Sequence, residues 1–133
     1  MANVKLGTKA VGSIVKIKVN GASKDFIVVQ QGNPNTGTYD SSCAGTWLLM
    51  KDIYTTSTFG NNNSYKDSSI HTYLNGTFYN LIDSNIRAAI KQVKIPYQNG
   101  TGSGGSLATG SNGLSTKVFL LSGYEVGWTT SDN

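Results

Sequence analysis

The sequence contains few cysteines, histidines, prolines and charged residues. One cysteine, one histidine and two prolines occur among 133 residues. Only 14% of the residues are charged, against about 25% in an average soluble protein, which excludes a coiled coil and a highly charged disordered tail. A single cysteine excludes an internal disulfide framework and a zinc cluster of thiolates. No apolar run approaches the roughly 18–20 residues of a membrane helix, so we expect no membrane insertion.

Small neutral polar residues are abundant instead. Glycine, serine, threonine and asparagine account for 58 of the 133 residues, and the length suits a single domain over residues 1–133. Residues 1–10 contain lysines but no apolar stretch, so we expect an N-terminal arm rather than a secretory signal. The net charge is +4, yet the cations are dispersed along the chain. Solvated faces explain them better than a nucleic-acid surface, so no nucleic-acid partner is expected.

The first half of the chain has the pattern of an antiparallel sheet. Apolar residues alternate with Lys16 and Lys18 from Val15 to Val19, which is typical of a half-buried strand. Asn20-Gly21 follows and is a strong signal for a two-residue hairpin turn. We therefore predict a hairpin over residues 13–30, with residues 47–50 as a third strand.

The second half predicts two short helices and a last strand. The first helix should begin near Asp67-Ser68 and end or bend at Gly76, and the second should be capped by Asp83 or Ser84. Their apolar faces are predicted to contain Ile70, Tyr73, Leu74 and Phe78 in the first helix and Ile86, Ala89, Ile90 and Val93 in the second. Residues 98–113 are expected to form a flexible loop rich in Gly, Ser and Thr, and residues 117–121 a strand. The predicted fold is α+β, with an antiparallel sheet, an N-terminal hairpin and two short helices.

Residues suited to catalysis are scarce. A nucleophilic pair of His71 and Cys43 would need the fold to bring them together, and structural roles are the favoured interpretation of both. Asp67 and Asp83 are better explained as helix caps, although carboxylates distant in sequence can still form a glycosidase pair in space. The run Gly100–Gly105 lacks the Gly-Lys-Ser/Thr ending of a phosphate-binding loop and is expected to be a mobile surface loop. We predict no catalytic residue, no metal, no cofactor and no enzymatic activity.

Aromatic residues beside polar loops are the remaining candidates for a site. Tyrosine among small polar residues is typical of adaptable binding surfaces, and aromatic faces with amides suit sugars. Packing against the edge of the core is an equally good interpretation of each residue alone. The candidate ligand-binding residues are Tyr39, Tyr54, Phe59, Tyr65, Tyr97, Tyr124 and Trp128.

Five stretches resemble the DUF6273 type of domain, which is common in proteins of gut Firmicutes and their prophages. The resembling stretches are Phe26–Gly32, Gly45–Tyr54 with Trp47-Leu48-Leu49-Met50, Ser68–Phe78, Ala88–Tyr97 with Ile95-Pro96-Tyr97, and Lys117–Val126. The resemblance implies a partial C-type-lectin-like fold, related to formylglycine-generating-enzyme-like domains, and supplies no catalytic residue.

The resemblance also implies a setting for the protein. Such proteins resemble structural or tail-associated products of phages, so we expect a virion protein that binds other virion proteins or copies of itself. A host-surface glycan or protein is a further expected partner. A carbohydrate-binding module at the bacterial cell surface is the alternative. Longer members continue into a C-terminal half, so we expect either a fragment or a short form whose edge strands another chain completes.

Overall fold

The N-terminal half forms a three-stranded antiparallel sheet. The computed structural model describes residues 5–60, 64–99 and 106–121. The strands are β1 (Ile14–Val19), β2 (Ala22–Gln31) and β3 (Thr46–Met50), in the order β1-β2-β3. The predicted hairpin and third strand are confirmed.

The turn between β1 and β2 follows from its two residues. Asn20 has φ 52° and Gly21 has φ 78°, the left-handed pair that a tight hairpin turn requires and that Asn-Gly adopts readily. The turn sets the register that pairs Val15 with Phe26. A bulge between Val28 and Gln30 later shifts the pairing of β2 with β3.

A helical segment covers one face of the sheet. It consists of α1 (Ser69–Tyr73), a π-helical turn (Leu74–Phe78) and α2 (Tyr79–Leu81). Ser68 caps it, because its hydroxyl accepts the His71 N–H at 3.2 Å. Asp67 ends the preceding 3-10 turn at Tyr65–Asp67 instead of capping the helix. The π-helical turn contains Gly76, where the sequence indicates an end or a bend of the helix.

The next helix is shorter than its apolar pattern indicates. Helix α3 covers only Ser84–Arg87, and Asp83 occupies the cap position without a side-chain hydrogen bond to the helix. Val93 lies in a strand instead of on the helix, which corrects the predicted stripe. Apolar and polar side chains alternate along Val93–Ile95 before Pro96, as in a strand. Pairing with a second strand gives the backbone N–H and C=O groups of these residues their hydrogen bonds.

Four short strands complete the described fold. Strand β4 (Val93–Ile95) pairs with β7 (Leu114–Thr116), and β5 (Tyr97–Asn99) pairs with β6 (Ser106–Ala108), both antiparallel. A 3-10 turn at Gly110–Asn112 precedes β7. Paired strands therefore occupy both ends of the expected loop over residues 98–113, while residues 100–105 lie outside the described part of the chain.

The last strand is displaced from its predicted place. We predict a strand over residues 117–121, but the strand covers Leu114–Thr116 and the chain leaves the sheet after it. The cause is a side chain, because Asn75 binds the N–H groups of Lys117 and Val118 that a strand would use for pairing. The overall class is α+β, as predicted.

Two apolar clusters form the core. In the larger, Ile17 and Val19 of β1 meet Phe78 and Ile82 from the helical segment. A backbone hydrogen bond joins the end of β1 to the helical segment beside this cluster, since Asn20 N–H donates to Leu81 O at 2.7 Å. The smaller cluster joins the segment before β3 to β4 and contains Tyr39, Cys43 and Ile95.

The N-terminal arm is attached to the sheet where it is described. The Gln31 side-chain amide donates to the carbonyls of Leu6 and Lys9 at 2.9 and 2.8 Å. Residues 1–4 lie outside the described range. Within residues 5–60, 64–99 and 106–121, every helix is too short or too polar to cross a lipid bilayer.

Candidate functional site

The five candidate aromatic residues that the structure describes do not form one surface. Tyr39 is 6% exposed and belongs to the smaller core cluster, so the packing interpretation holds for it and it is not a surface contact. Phe59 is 42% exposed, while Tyr54, Tyr65 and Tyr97 are half-buried at separate places. Tyr124 and Trp128 lie outside the described residues.

Tyr39 belongs to a row of aromatic rings that also supports β3. Its ring packs edge-to-face on Trp47 at 5.5 Å, and Trp47 packs in the same way on Phe119 at 5.4 Å. The indole N–H of Trp47 donates to Cys43 O at 3.0 Å. These contacts pack the first half of β3 against the smaller core cluster.

Tyr54 lines a cleft beside the first half of β2 and the end of β3. Its ring packs on Phe78 at 5.3 Å, and the Lys24 ammonium lies 5.9 Å from the ring centre. The lining residues are Lys24, Asp25, Met50, Asp52, Ile53 and Tyr54. The cleft combines an aromatic ring with charged groups of both signs.

His71 and Cys43 occupy different environments. Burial lowers the pKa of His71, whose ring packs on Tyr65 at 5.3 Å. Burial raises the pKa of Cys43, whose thiol is 2% exposed and donates to Lys94 O at 3.2 Å. Among the described residues no contact joins the two, and Cys43 has the features of a structural thiol.

The carboxylates with shifted pKa values serve local structure. A hydrogen bond from Lys16 at 2.7 Å lowers the pKa of Asp25. Hydrogen bonds from Ser42 lower the pKa of Asp40, whose carboxylate accepts the Ser42 N–H at 3.0 Å. In the described part of the chain, no three residues among His, Cys, Asp and Glu come together as metal ligands.

Among the described residues, the side of β3 that faces away from β2 is an open edge. Lys51 N–H, directly after β3, donates to Asp25 O at 2.9 Å. Because backbone groups alternate in direction along an antiparallel strand, the N–H and C=O groups of odd-numbered residues in β3 bond to β2, and those of even-numbered residues point away from it. The open edge is therefore formed by the backbone groups of Thr46, Leu48 and Met50. Among residues 5–60, 64–99 and 106–121, no strand pairs with it.

One cation lies at the start of this edge. The Lys91 ammonium donates to Ala44 O at 2.5 Å, and Ala44 is the even-numbered residue just before β3. The Lys91 side chain also lies beside Gly45, since a Cβ built there would be 3.6 Å from Lys91 Cδ. The opposite end carries Lys51 and Asp52, both exposed. Each end of the open edge thus carries charge.

An apolar row crosses the sheet face opposite the larger core cluster. The pairing places Ile14 opposite Ile27 and Ile27 opposite Leu49, one residue from each strand. Ile14 is 47% exposed. We call these three residues the outer row. It runs up to the open edge and ends there at Leu49.

Sequence reasoning missed two features of this region. Asn75 gives no signal of its own among thirteen asparagines, although it organises the end of β7. The open edge has a weak signal in Trp47-Leu48-Leu49-Met50, a strand without the lysine or proline that commonly protects an exposed edge.

The comparisons with known proteins give a family. No curated protein and no solved structure matches the chain. A family model described as a domain of unknown function, DUF6273, matches residues 44–133. The match begins directly before β3 and covers more than half of the chain. The hairpin of β1 and β2 precedes it, yet contributes Ile17 and Val19 to the same core. The chain is therefore a member of the DUF6273 family.

Proposed function

We propose that this chain is a non-enzymatic structural protein of a bacteriophage or prophage particle, tail-associated or on the capsid surface. It acts by protein–protein assembly, and the observation that carries the proposal is the open edge of β3. An unpaired edge presents a row of backbone donors and acceptors that another chain extends readily. The virion setting rests on the resemblance of the sequence to phage-encoded domains.

Assembly at this edge uses strand addition. Backbone hydrogen bonds to Leu48 and Met50 supply affinity, and the alternating side chains supply specificity. The aromatic row of Tyr39, Trp47 and Phe119 keeps the strand in place before a partner arrives. A rigid strand loses little conformational entropy on binding, which favours association. Host-surface binding through exposed aromatics such as Phe59 is a secondary part of the proposal.

The test removes one edge donor without touching the ladder to β2. Leu48→Pro deletes an N–H that points away from β2, a position where an edge strand tolerates proline. The matched control is Leu48→Ala, which loses the same side-chain packing and keeps the donor. Tagged chains would be produced in the bacterium that carries the gene, and particles would be purified on density gradients after prophage induction.

The wild-type chain and Leu48→Ala should sediment with the particles, and Leu48→Pro should remain in the soluble fractions. Circular dichroism of both variants checks that they are folded. Wild-type chain absent from the particles would contradict the virion setting. Equal incorporation of Leu48→Pro and Leu48→Ala would contradict assembly through the open edge.

The second candidate function is a carbohydrate-binding module of a bacterial cell-surface protein. The cleft beside Tyr54 favours it, because an aromatic ring next to Asp52 offers stacking and hydrogen bonding to a sugar. A glycan array should then give saturable hits that Tyr54→Ala abolishes and Tyr54→Phe retains. An array without hits would count against this function.

A further inference from the structure

We propose that the partner at the open edge is a second copy of this chain, paired antiparallel about a two-fold axis that passes beside Leu49. The inference rests on the proposed function and names its partner. Two copies of the same edge can pair antiparallel about a two-fold axis, because each backbone donor then faces an acceptor on the other copy. The result is a continuous six-stranded sheet.

The backbone limits the register to few choices. Only Thr46, Leu48 and Met50 present groups to the open edge, so a bonded pair must join even-numbered residues of both copies. Three registers place the axis at or beside the middle of the strand. The one with its axis beside Trp47 is disfavoured, because it would pair Met50 with Ala44, whose carbonyl already accepts the Lys91 ammonium. In the second, Leu48 meets Leu48 of the second copy, and in the third Leu48 meets Met50 and the axis passes beside Leu49.

Charge at the two ends of the edge favours pairing with a second copy. In the Leu48 register, Asp52 of the second copy lies opposite Ala44, whose carbonyl accepts the Lys91 ammonium. Lys51 then lies opposite Gly45, beside which Lys91 runs, and weakens this attraction. The Leu49 register places Asp52 opposite Thr46, two residues from the Ala44 carbonyl, and moves Lys51 away from Lys91. An acidic group of one copy thus lies near Lys91 of the other in either register.

The Leu49 register also continues the outer row. Leu49 of each copy would face the other as a non-hydrogen-bonded pair, where side chains approach most closely. The row from Ile14 through Ile27 to Leu49 would then extend across both copies as six apolar residues. Leu48 and Met50 of opposite copies would exchange four backbone hydrogen bonds, two on each side of the axis.

Charge reversal tests the self-pairing in solution. Sedimentation equilibrium of the full chain over a concentration series should give a monomer–dimer equilibrium. Asp52→Lys alone and Lys91→Asp alone should each raise the dimer dissociation constant about tenfold, since each creates two like-charge contacts. An equimolar mixture of the two variants should recover wild-type affinity, because their heterodimer restores an opposite-charge pair at both ends.

Recovery on mixing is the decisive result, because a general loss of stability in either variant could not produce it. Wild-type chain that stays monomeric throughout the series would overturn the self-pairing, as would a mixture no tighter than its components. The particle experiment separates this failure from failure of the proposed function. Monomeric wild-type chain whose incorporation into particles still requires the Leu48 donor would mean that a different protein occupies the edge.

A cross-link tests the position of the axis. Leu49→Cys should give a disulfide-linked dimer on mild oxidation, because facing residues of a non-hydrogen-bonded pair lie about 4.5–5.5 Å apart, within disulfide reach. Ile14→Cys is the matched control, since Ile14 lies in the same row and is 47% exposed. It should remain monomeric under the same conditions. Equal cross-linking of both variants would place the contact elsewhere and overturn the register.

Discussion

Asn75 and Val118 form a two-point hydrogen bond across 43 positions of sequence. The Asn75 side-chain N–H donates to Val118 O at 2.8 Å, and Val118 N–H donates to Asn75 Oδ1 at 3.1 Å. The same oxygen also accepts the Lys117 N–H at 2.8 Å and the Thr116 hydroxyl at 3.0 Å. One amide on the π-turn thus supplies the hydrogen bonds that a strand partner would give to the backbone of Lys117 and Val118.

Loss of this amide should be costly. Asn75→Ala leaves the N–H groups of Lys117 and Val118 without their acceptor, and we expect the free energy of unfolding to fall by about 2–4 kcal/mol. Urea denaturation measures the change. Asn80→Ala, at an exposed position of the same helical segment, should cost less than about 0.5 kcal/mol. Similar costs at both positions would refute the role of Asn75.

Two glycines should respond to alanine in opposite directions. A Cβ at Gly113 would lie 2.7 Å from Ile95 O, so Gly113→Ala should displace the turn from β4 and cost about 1–3 kcal/mol. A Cβ at Gly76 would meet nothing within 4 Å. Gly76→Ala should therefore stabilise the fold by about 0.5–1 kcal/mol, because it restricts the unfolded chain. Thermal unfolding of both variants measures the two changes in stability. A change in the same direction for both variants would contradict the prediction.

Stability should depend on pH through His71. Burial holds its pKa below the ordinary value of 6.5, although Asp67 partly opposes the shift. The unfolded chain therefore binds the proton first as the pH falls. The resulting stability is full above pH 6.5 and declines as the pH drops from there to the folded-state pKa. Urea midpoints measured from about pH 7.5 to about 5.5 should show this decline. His71→Gln should flatten the profile in that window, and an unchanged slope would assign the effect to other groups.

Cys43 should react slowly in the folded protein. Its thiol is 2% exposed and burial raises its pKa, so modification must wait for local opening of the chain. A thiol reagent at mildly alkaline pH should modify it about a hundredfold or more slowly than in denaturant. Ser41→Cys in a Cys43→Ala background places a thiol at an exposed position of the same turn and should react rapidly. Equal rates for the two thiols would rule out protection by packing.

The features predicted well from sequence are those set by neighbouring residues. Asn20-Gly21 fixes the hairpin through its own backbone preference, and the alternation around Lys16 fixes which face of β1 is buried. Ser68 caps the helix three residues before the N–H that it accepts. Each of these interactions spans a few positions, so a single sequence contains the information.

The features that were missed depend on residues far apart in sequence. The shift of the last strand to Leu114–Thr116 is caused by Asn75, which lies about forty positions earlier. Whether Tyr39 lies in the core or at the surface depends on Ile95, which shares its cluster but comes much later in the chain. The open edge of β3 is a property of the sheet order, and local patterns do not encode which strand lies at the outside.

The junction of Val19 with Ile82 determines where this domain can be cut for laboratory production. The family match starts at Ala44, but a fragment truncated there would leave β3 without β2 and remove the cover of Phe78 and Ile82 that Ile17 and Val19 provide. Such a fragment should collect in inclusion bodies. Expression plasmids should therefore begin no later than Lys5, so that the contact of Gln31 with Leu6 and Lys9 is kept.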